Sequence, residues 1–516
     1  MDAADRVNRQ WIAALAVVGA LGLVVGISVI DRFHVGVFHD DAMYVILARS
    51  LATGQGFRYL NLPGAPVASH FPPGYPALLS LVWRVAPGFP ENLTAFKALN
   101  AVCLSASAVL VAQLVRERLE SERWGFGAGI VTAVSVPLLV LVTMVLSEPL
   151  FLVALLAALI LAERLVSGTV SMRLAGEVGL LVGVTTLVRS HGIVLLPAIA
   201  LPLLARCRWR DAVMLAAGAL AVLLPWQLWS VSHAGALPAP LMGNYGSYVS
   251  WWMRGFHEMG PSMIPETLRR TVPETLAMLS SLFSPVPGTA AHTISLVALA
   301  LSLVLGATAL QRRAPVTLLF LAGYATLVLI WPFPPSRFVW GVWPLLLFVL
   351  LAAGRSIASQ DRRTPPLPRL VAAGALLWVA VGYSAYEQRA VRGHWWASIS
   401  RSADQRIAPA IAWTLANTAP EDVIASDDEG AVFLYTGRRA VPVASFTTAH
   451  YLRERTPVVE AEEGLVPLLA TYPVSAVLVG STRTFDAAQY LATRPVPLLA
   501  LRDRFAGGAA FTVLTR

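Results

Sequence analysis

The sequence predicts an all-α polytopic membrane protein that ends in a small α/β domain. Of its 516 residues 56% are hydrophobic and only 13% charged, where a soluble domain carries about a quarter charged. The mean hydropathy is +0.64. Apolar runs of about 20 residues, enough to cross a bilayer as helix, recur as far as residue 386. From about residue 390 the pattern changes to short β-branched runs alternating with amphipathic stretches.

Taken in order, the apolar runs predict about eleven spans, at 11–30, 95–115, 125–146, 148–166, 174–188, 191–205, 212–232, 291–310, 314–331, 338–355 and 368–386. The segment 174–204 reads either as one long tilted helix or as a short pair broken at Arg189-Ser190-His191-Gly192, and charge favours the pair. With the N-terminus inside, the inner segments then hold Arg6 and Arg9, Arg116, Arg118 and Arg123, Arg164 and Arg173, and Arg206, Arg208 and Arg210. Arg312, Arg313, Arg355, Arg362, Arg363 and Arg369 follow on the same side, and only Arg189 and Arg337 fall in short outer loops. This asymmetry accounts for the net charge of +9 without a nucleic-acid partner. It implies a cytoplasmic (inner) membrane location with the C-terminal domain outside. Trp11–Ile30 lacks a basic leader and a small-residue cleavage site, so it reads as a retained first helix. Cys103 and Cys207, the two cysteines, fall on the inner side and suggest no disulfide framework.

Residues 1–388 thus form a transmembrane domain with two long outer loops, 31–94 and 233–290, and 389–516 an extracytoplasmic α/β domain. In the first loop Ala42–Thr53 and Ala77–Val85 read as helices lying in the membrane interface, Tyr44, Leu47 and Leu51 sharing one face. The second contains Asn244-Tyr245-Gly246, Trp251-Trp252 and His257-Glu258, its tryptophans suited to the headgroup zone. In the last domain Asp404–Asn417, Glu460–Thr471 and Phe485–Thr493 read as helices. Val423–Ser426, Val432–Tyr435, Ala476–Val479 and Phe511–Leu514 read as strands. No internal repeat is evident, which weighs against a transporter built of two related halves.

The chemistry concentrates after the first span, at Phe38-His39-Asp40-Asp41-Ala42-Met43-Tyr44. Adjacent carboxylates beside a membrane are costly unless they face water, a cation or a substrate. The bland reading is a solvated pair capping the helix that starts at Ala42. The functional one makes either carboxylate a general base, since close carboxylates push one pKa upward.

The order Asp-Asp-x-x-Tyr, then Phe71-Pro72-Pro73-Gly74-Tyr75-Pro76, Ser147-Glu148-Pro149, Leu187-Val188-Arg189-Ser190, and Ser336-Arg337-Phe338 followed by Pro344, resembles the lipid-linked-sugar glycosyltransferases of GT-C fold. The likeness is to the branch of protein O-mannosyltransferases, aminoarabinose transferases and RgtA-like enzymes, and it covers roughly residues 11–355. Tyr435-Thr436-Gly437-Arg438 also looks like a segment common among bacterial members. The resemblance implies a polyprenyl-phosphate-linked sugar as donor and an extracytoplasmic glycan, lipid or protein as acceptor. It also implies that the acidic residue Asp40 deprotonates the attacking hydroxyl and that the product is inverted. Phe71 stands where the aminoarabinose transferases carry a Lys.

Negative charge develops on the departing phosphate, so a cation is needed beside it. Arg189 and Arg337 are the candidates, with His70 as a further hydrogen-bonding group. An interfacial arginine snorkelling to water is their alternative reading. Tyr44, Tyr75 and Glu148 complete the expected surroundings, Glu148 also being placed to cap the fourth span. For a divalent cation the candidates are His70 with His257, or Asp41 with Glu148, neither pair forming a dependable metal signature. Walker A, Gly-x-Ser-x-Gly and Cys/His nucleophile patterns are absent. These residues point to an inverting membrane glycosyltransferase. The alternatives are a transporter or lipid flippase, which would place ionisable residues deep within spans, and a membrane scaffold whose outer domain binds a partner.

Overall fold

The computed structural model describes residues 3–233, 235, 237–359 and 366–514. Arg362, Arg363 and the side chain of Arg6, all expected on the inner side, lie outside the described residues. Helices occupy all eleven predicted apolar segments. Six are long and apolar enough to cross a membrane: Arg9–Ser28, Leu93–Leu119, Glu148–Ser167, Trp209–Ser232, Thr289–Leu310 and Leu367–Arg392. A seventh span results if Glu122–Val134 and Val136–Val142, which meet at 49°, count as one. Ser190–Ala205, Pro315–Leu329 and Trp343–Ser359 are apolar but shorter.

The chain is a multi-pass membrane protein, and its outer helices show why. Leu220, Leu224, Leu228 and Val231 on one helix, and Leu370, Leu377 and Val381 on another, stand exposed. Water would penalise such contiguous apolar faces, and lipid does not. Where a helix breaks inside the bundle, its free N–H groups need partners. At the Ser135 bend the Glu387 carboxylate supplies one, accepting from the Val136 N–H at 3.2 and 3.1 Å. Small residues let helices approach closely. A Cβ on Gly179 or Gly218 would collide with the facing backbone of Trp209–Ser232 or Met172–Val188.

Residues 174–204 form two helices, Met172–Val188 and Leu195–Ala205, parted by extended Arg189 and a single 3-10 turn. In the first loop the helix starts at Asp40 and runs to Ala52. It is not the one-faced surface helix expected. Asp41 through Ala48 are buried without a gap, because Gly74–Val85 covers one side and the C-terminal unit another. A helix apolar all round is a core helix, not a surface one. Gly74–Val85 turns Tyr75, Leu79 and Trp83 inward and exposes Leu81 and Val85, an apolar outer face that suits lipid.

The C-terminal unit is a five-stranded sheet of order β2-β1-β3-β5-β4, with β1 Val423–Ser426, β2 Arg439–Pro442, β3 Val474–Val479, β4 Leu499–Phe505 and β5 Gly508–Val513. β1 is parallel to β2 and β3, while β5 runs antiparallel to β3 and β4. Ile424, Val441, Val477 and Phe511 fill its core. Val432–Tyr435, expected as a strand, instead belongs to the helix Glu429–Thr436 that crosses from β1 to β2. A short apolar run buried on all sides has no periodicity to tell strand from helix. β2 has four residues and β4 is largely exposed and charged, so neither gives a strand pattern. The unit seats Gly430 against Met43 and Ala42 of the helix that begins at Asp40.

Candidate active site

The chain leaves its first helix, turns at Gly36–His39 and enters the helix Asp40–Ala52. Gly36 has φ +115°, a conformation that favours glycine. His39 has φ +63°, a strain of order 1–3 kcal/mol that the surroundings must hold. Asp41 does the holding. Its Oδ2 accepts from the N–H of Gly36 at 2.8 Å and of Val37 at 3.1 Å, and its Oδ1 from Phe38 at 3.1 Å. Asp41 is buried and its lone pairs face the turn. The two aspartates therefore serve different partners, a distinction that their adjacency in sequence conceals.

Asp40 joins residues brought from far along the chain. Its Oδ2 accepts from Arg337 Nη2 at 2.7 Å, across 297 positions. Arg337 Nε donates to Glu148 Oε1, and Glu148 Oε2 lies 2.9 Å from Arg189 Nη1. Carboxylate, guanidinium, carboxylate and guanidinium thus alternate. Side-chain exposure falls from 26% at Asp40 through 12% at Arg337 to 2% at Glu148, so the row opens to solvent at Asp40. Glu148 stands in the first turn of its helix, where negative charge is favoured, and between two guanidiniums that would otherwise repel. Arg189 occupies the extended residue between two helices, and Arg337 the short helix Ser336–Trp340 after a proline-rich break. Burial alone would raise the Asp40 carboxyl. The positive charges of Arg337, His39 and Arg189 outweigh it and hold the group below its ordinary 3.8.

Tyr44 sits one helical turn from Asp40. Its hydroxyl lies 3.1 Å from Ser147 Oγ, which accepts from Arg189 Nη1 at 3.1 Å. Burial, and then the Asp40 charge, push its phenol upward, so it stays protonated. Its ring meets Phe71 and Tyr75 edge-on at 5.4 and 5.1 Å. Tyr75 donates to Asn100 Oδ1 at 3.1 Å. Phe71 is fully buried, so the place where a Lys was a possible phosphate contact here holds core packing. His70 meets the Tyr248 ring at a 45° tilt, centroids 4.2 Å apart, and engages the Gly246 carbonyl through Nδ1. Burial lowers its pKa, leaving it neutral near pH 7.

His257 lies exposed on the helix Tyr248–Met259. Among the described residues no group of three or more His, Cys, Asp or Glu side chains converges. Asp41 faces backbone N–H groups and Glu148 faces guanidiniums, so these carboxylates do not fit a hard cation as they stand.

Some site residues escape a reading of the sequence. Asn100 carries no pattern, and Ser147 stands in the Ser147-Glu148-Pro149 element without a role that the sequence assigns. Lys97 had a signal, being the only lysine of the chain. It is buried, and its ammonium donates to Asp31 Oδ1 at 2.6 Å and to the Asp31 carbonyl at 3.1 Å, tying down the start of the loop that carries Asp40.

No family model and no curated protein matches this sequence. Solved structures do. ArnT from Cupriavidus metallidurans bound to undecaprenyl phosphate is 13% identical with a TM-score of 0.57, covering 97% of this chain and 98% of its own. The same protein in the apo state gives 14% identity and a TM-score of 0.57, with 98% of each chain covered. The archaeal oligosaccharyltransferase AglB from Archaeoglobus fulgidus, in complex with an inhibitory peptide and a dolichol-phosphate, is 12% identical with a TM-score of 0.54. That match covers 93% of this chain and 71% of AglB. The chain shares their fold, which is the GT-C fold.

Proposed function

We propose, on the premise of a fold shared with ArnT and AglB, that this protein is an inverting membrane glycosyltransferase. It moves a sugar from a polyprenyl-phosphate carrier to a hydroxyl of an extracytoplasmic glycan, lipid or protein. The observation that carries this reading is the buried row Asp40–Arg337–Glu148–Arg189, open to solvent at its carboxylate end. The fold alone would fit a protein that only binds a lipid phosphate. A carboxylate held ionised beside two arginines adds a base and a phosphate site within one assembly.

Asp40 takes the proton of the acceptor hydroxyl, whose oxygen attacks the anomeric carbon as the bond to the phosphate oxygen breaks on the opposite face. Polyprenyl phosphate leaves with the electron pair. Arg189 and Arg337, kept side by side by Glu148, stabilise the charge that develops on it. Tyr44 and Ser147 orient Arg189, Tyr75 backs Tyr44, and His70 lines the same region. Asp41 positions the turn and leaves Asp40 as the base. The arginine distribution supports eleven spans with the N-terminus inside, and supports placing residues 389–516, with loops 31–94 and 233–290, on the outer side of the inner membrane.

Asp40→Asn, purified and given a polyprenyl-phosphate sugar with an acceptor, should lose transfer while keeping its fold and its affinity for polyprenyl phosphate. Wild-type turnover in that variant would overturn the assignment of the base.

A further inference from the structure

The C-terminal sheet contains a topological switch point. β1 is followed by a helix that leads to β2 on one side, whereas β3 is followed by Thr482–Thr493, which leads to β4 on the other. In open sheets with parallel strands, ligands bind in the crevice beyond the carboxyl ends of the strands where such connections diverge. Two recesses lie there. One of about 200 Å³ is lined by Phe38, His39, Arg406, Asp427, Asp428 and Gly430. A wider one of about 510 Å³ continues along Arg406, Ser398, Ser402, Gly480 and Gly507. Val37 and Arg406 border both.

The crevice faces the proposed reaction centre. His39, on its wall, precedes Asp40 directly, and the Arg337 guanidinium lies 5.2 Å from the centroid of the Phe38 ring that lines the smaller recess. Its chemistry is selective. Asp427 ties the two strand ends together, accepting from Gly480 N at 2.7 Å, Ser481 N at 3.1 Å and Thr484 Oγ1 at 2.6 Å. Asp428 takes a bidentate pair from Arg406, at 3.0 and 2.6 Å. Arg406 remains 37% exposed, and among the described residues its Nη1 donates to no other group. His39 Nε2 is buried and also lacks a partner among them. Asp427 and Asp428 stand beside Arg406 on the wall of the smaller recess, so it offers no surplus of positive charge to a phosphate or an acidic ligand. Paired acceptors and donors around an open recess suit a neutral molecule rich in hydroxyls.

We propose that this crevice binds the acceptor, and that the acceptor is a neutral carbohydrate whose terminal hydroxyl reaches past His39 to Asp40. This rests on the glycosyltransferase reading above for the fate of that hydroxyl, and its test is independent of turnover. The purified full-length protein in detergent micelles is titrated with neutral hexose and pentose oligosaccharides, and with a sulfated oligosaccharide as anionic control. At least one neutral oligosaccharide should bind and the sulfated one should not. Arg406→Gln should weaken that binding tenfold or more. Ser402→Trp, which fills the wider recess from an exposed position, should do the same. Both variants should retain their affinity for polyprenyl phosphate. Failure of every neutral oligosaccharide to bind, or equal binding by both variants, would overturn the proposal. The glycosyltransferase reading fails on a separate result, the absence of sugar transfer from any polyprenyl-phosphate donor by the wild-type protein.

Discussion

Two aspartate doublets, Asp40-Asp41 and Asp427-Asp428, stand at turns that lead into helices, one in the first loop and one in the C-terminal unit. They divide their work in the same way. One member accepts N–H groups of a neighbouring turn: Asp41 takes Gly36, Val37 and Phe38, and Asp427 takes Gly480 and Ser481. The other member meets an arginine, Arg337 in the first case and Arg406 in the second. What differs is the field beyond that arginine. Arg337 leads on to Glu148 and Arg189, and the added positive charge holds Asp40 below its ordinary value against the effect of burial. Arg406 stands alone against the burial of Asp428 and the charges of Asp427 and Glu429, and Asp428 is pushed up to about 6. A doublet of carboxylates is therefore no signature by itself. The cations gathered around it decide whether it stays ionised, and they do so at the expense of its strength as a base.

The comparison breaks most sharply under substitution of the arginine-paired members. Asp40→Asn should lower kcat by about 10²–10⁴-fold, the usual worth of a general base. Asp428→Asn should instead raise the acceptor KM. Steady-state kinetics with both substrates varied separates the two, and a fall in kcat alone for Asp428→Asn would erase the contrast. Next in size is Glu148→Gln. Removing one charge from a buried network costs about 3–5 kcal/mol, so thermal unfolding in detergent should show a loss of that order and polyprenyl phosphate should bind more weakly. Asp41→Asn keeps an oxygen but gives up charge-assisted bonds worth about 1.5–3 kcal/mol. Its melting temperature should fall, with faster proteolysis near residues 36–39.

The smallest effect is in pH dependence. Between 3.8 and about 6 the folded chain keeps the Asp428 proton that the unfolded chain has lost, so this group makes stability fall as pH rises through that window. Asp40, its pKa depressed, contributes stability that is present above 3.8 and lost only below it. Asp428→Asn should flatten the slope of stability between about pH 4 and 6, and Asp40→Asn should leave that slope in place. Stability measured against pH in the three proteins checks both statements.

Much of this site is legible in the sequence because membrane proteins punish charge. Arg189 and Arg337 stand out where few basic residues are expected, and Glu148 stands out at the end of an apolar run. Their common meeting place is not legible, because hydropathy reports only neighbours along the chain while Arg337 reaches Glu148 across 189 positions. The reading of the helix after His39 as a one-faced surface helix failed for a similar reason. Its second covering surface arrives only with Gly430 and the helix around it. Asp427-Asp428 drew no notice, since in a polar domain two carboxylates at a turn are unexceptional. Lys97 was in plain view as a lone lysine, and composition totals merged it with the arginines.

The three N–H bonds to Asp41 have a consequence for rate as well as shape. They fix the backbone immediately before Asp40, and the helix fixes it immediately after, so the Asp40 carboxylate is left with only its own side-chain torsions to order. Ordering one flexible side chain costs roughly 0.5–1.5 kcal/mol, and ordering a free turn costs about 1–2 kcal/mol for each residue. Because the turn is ordered when the protein folds, that entropy is not lost again each time a substrate arrives.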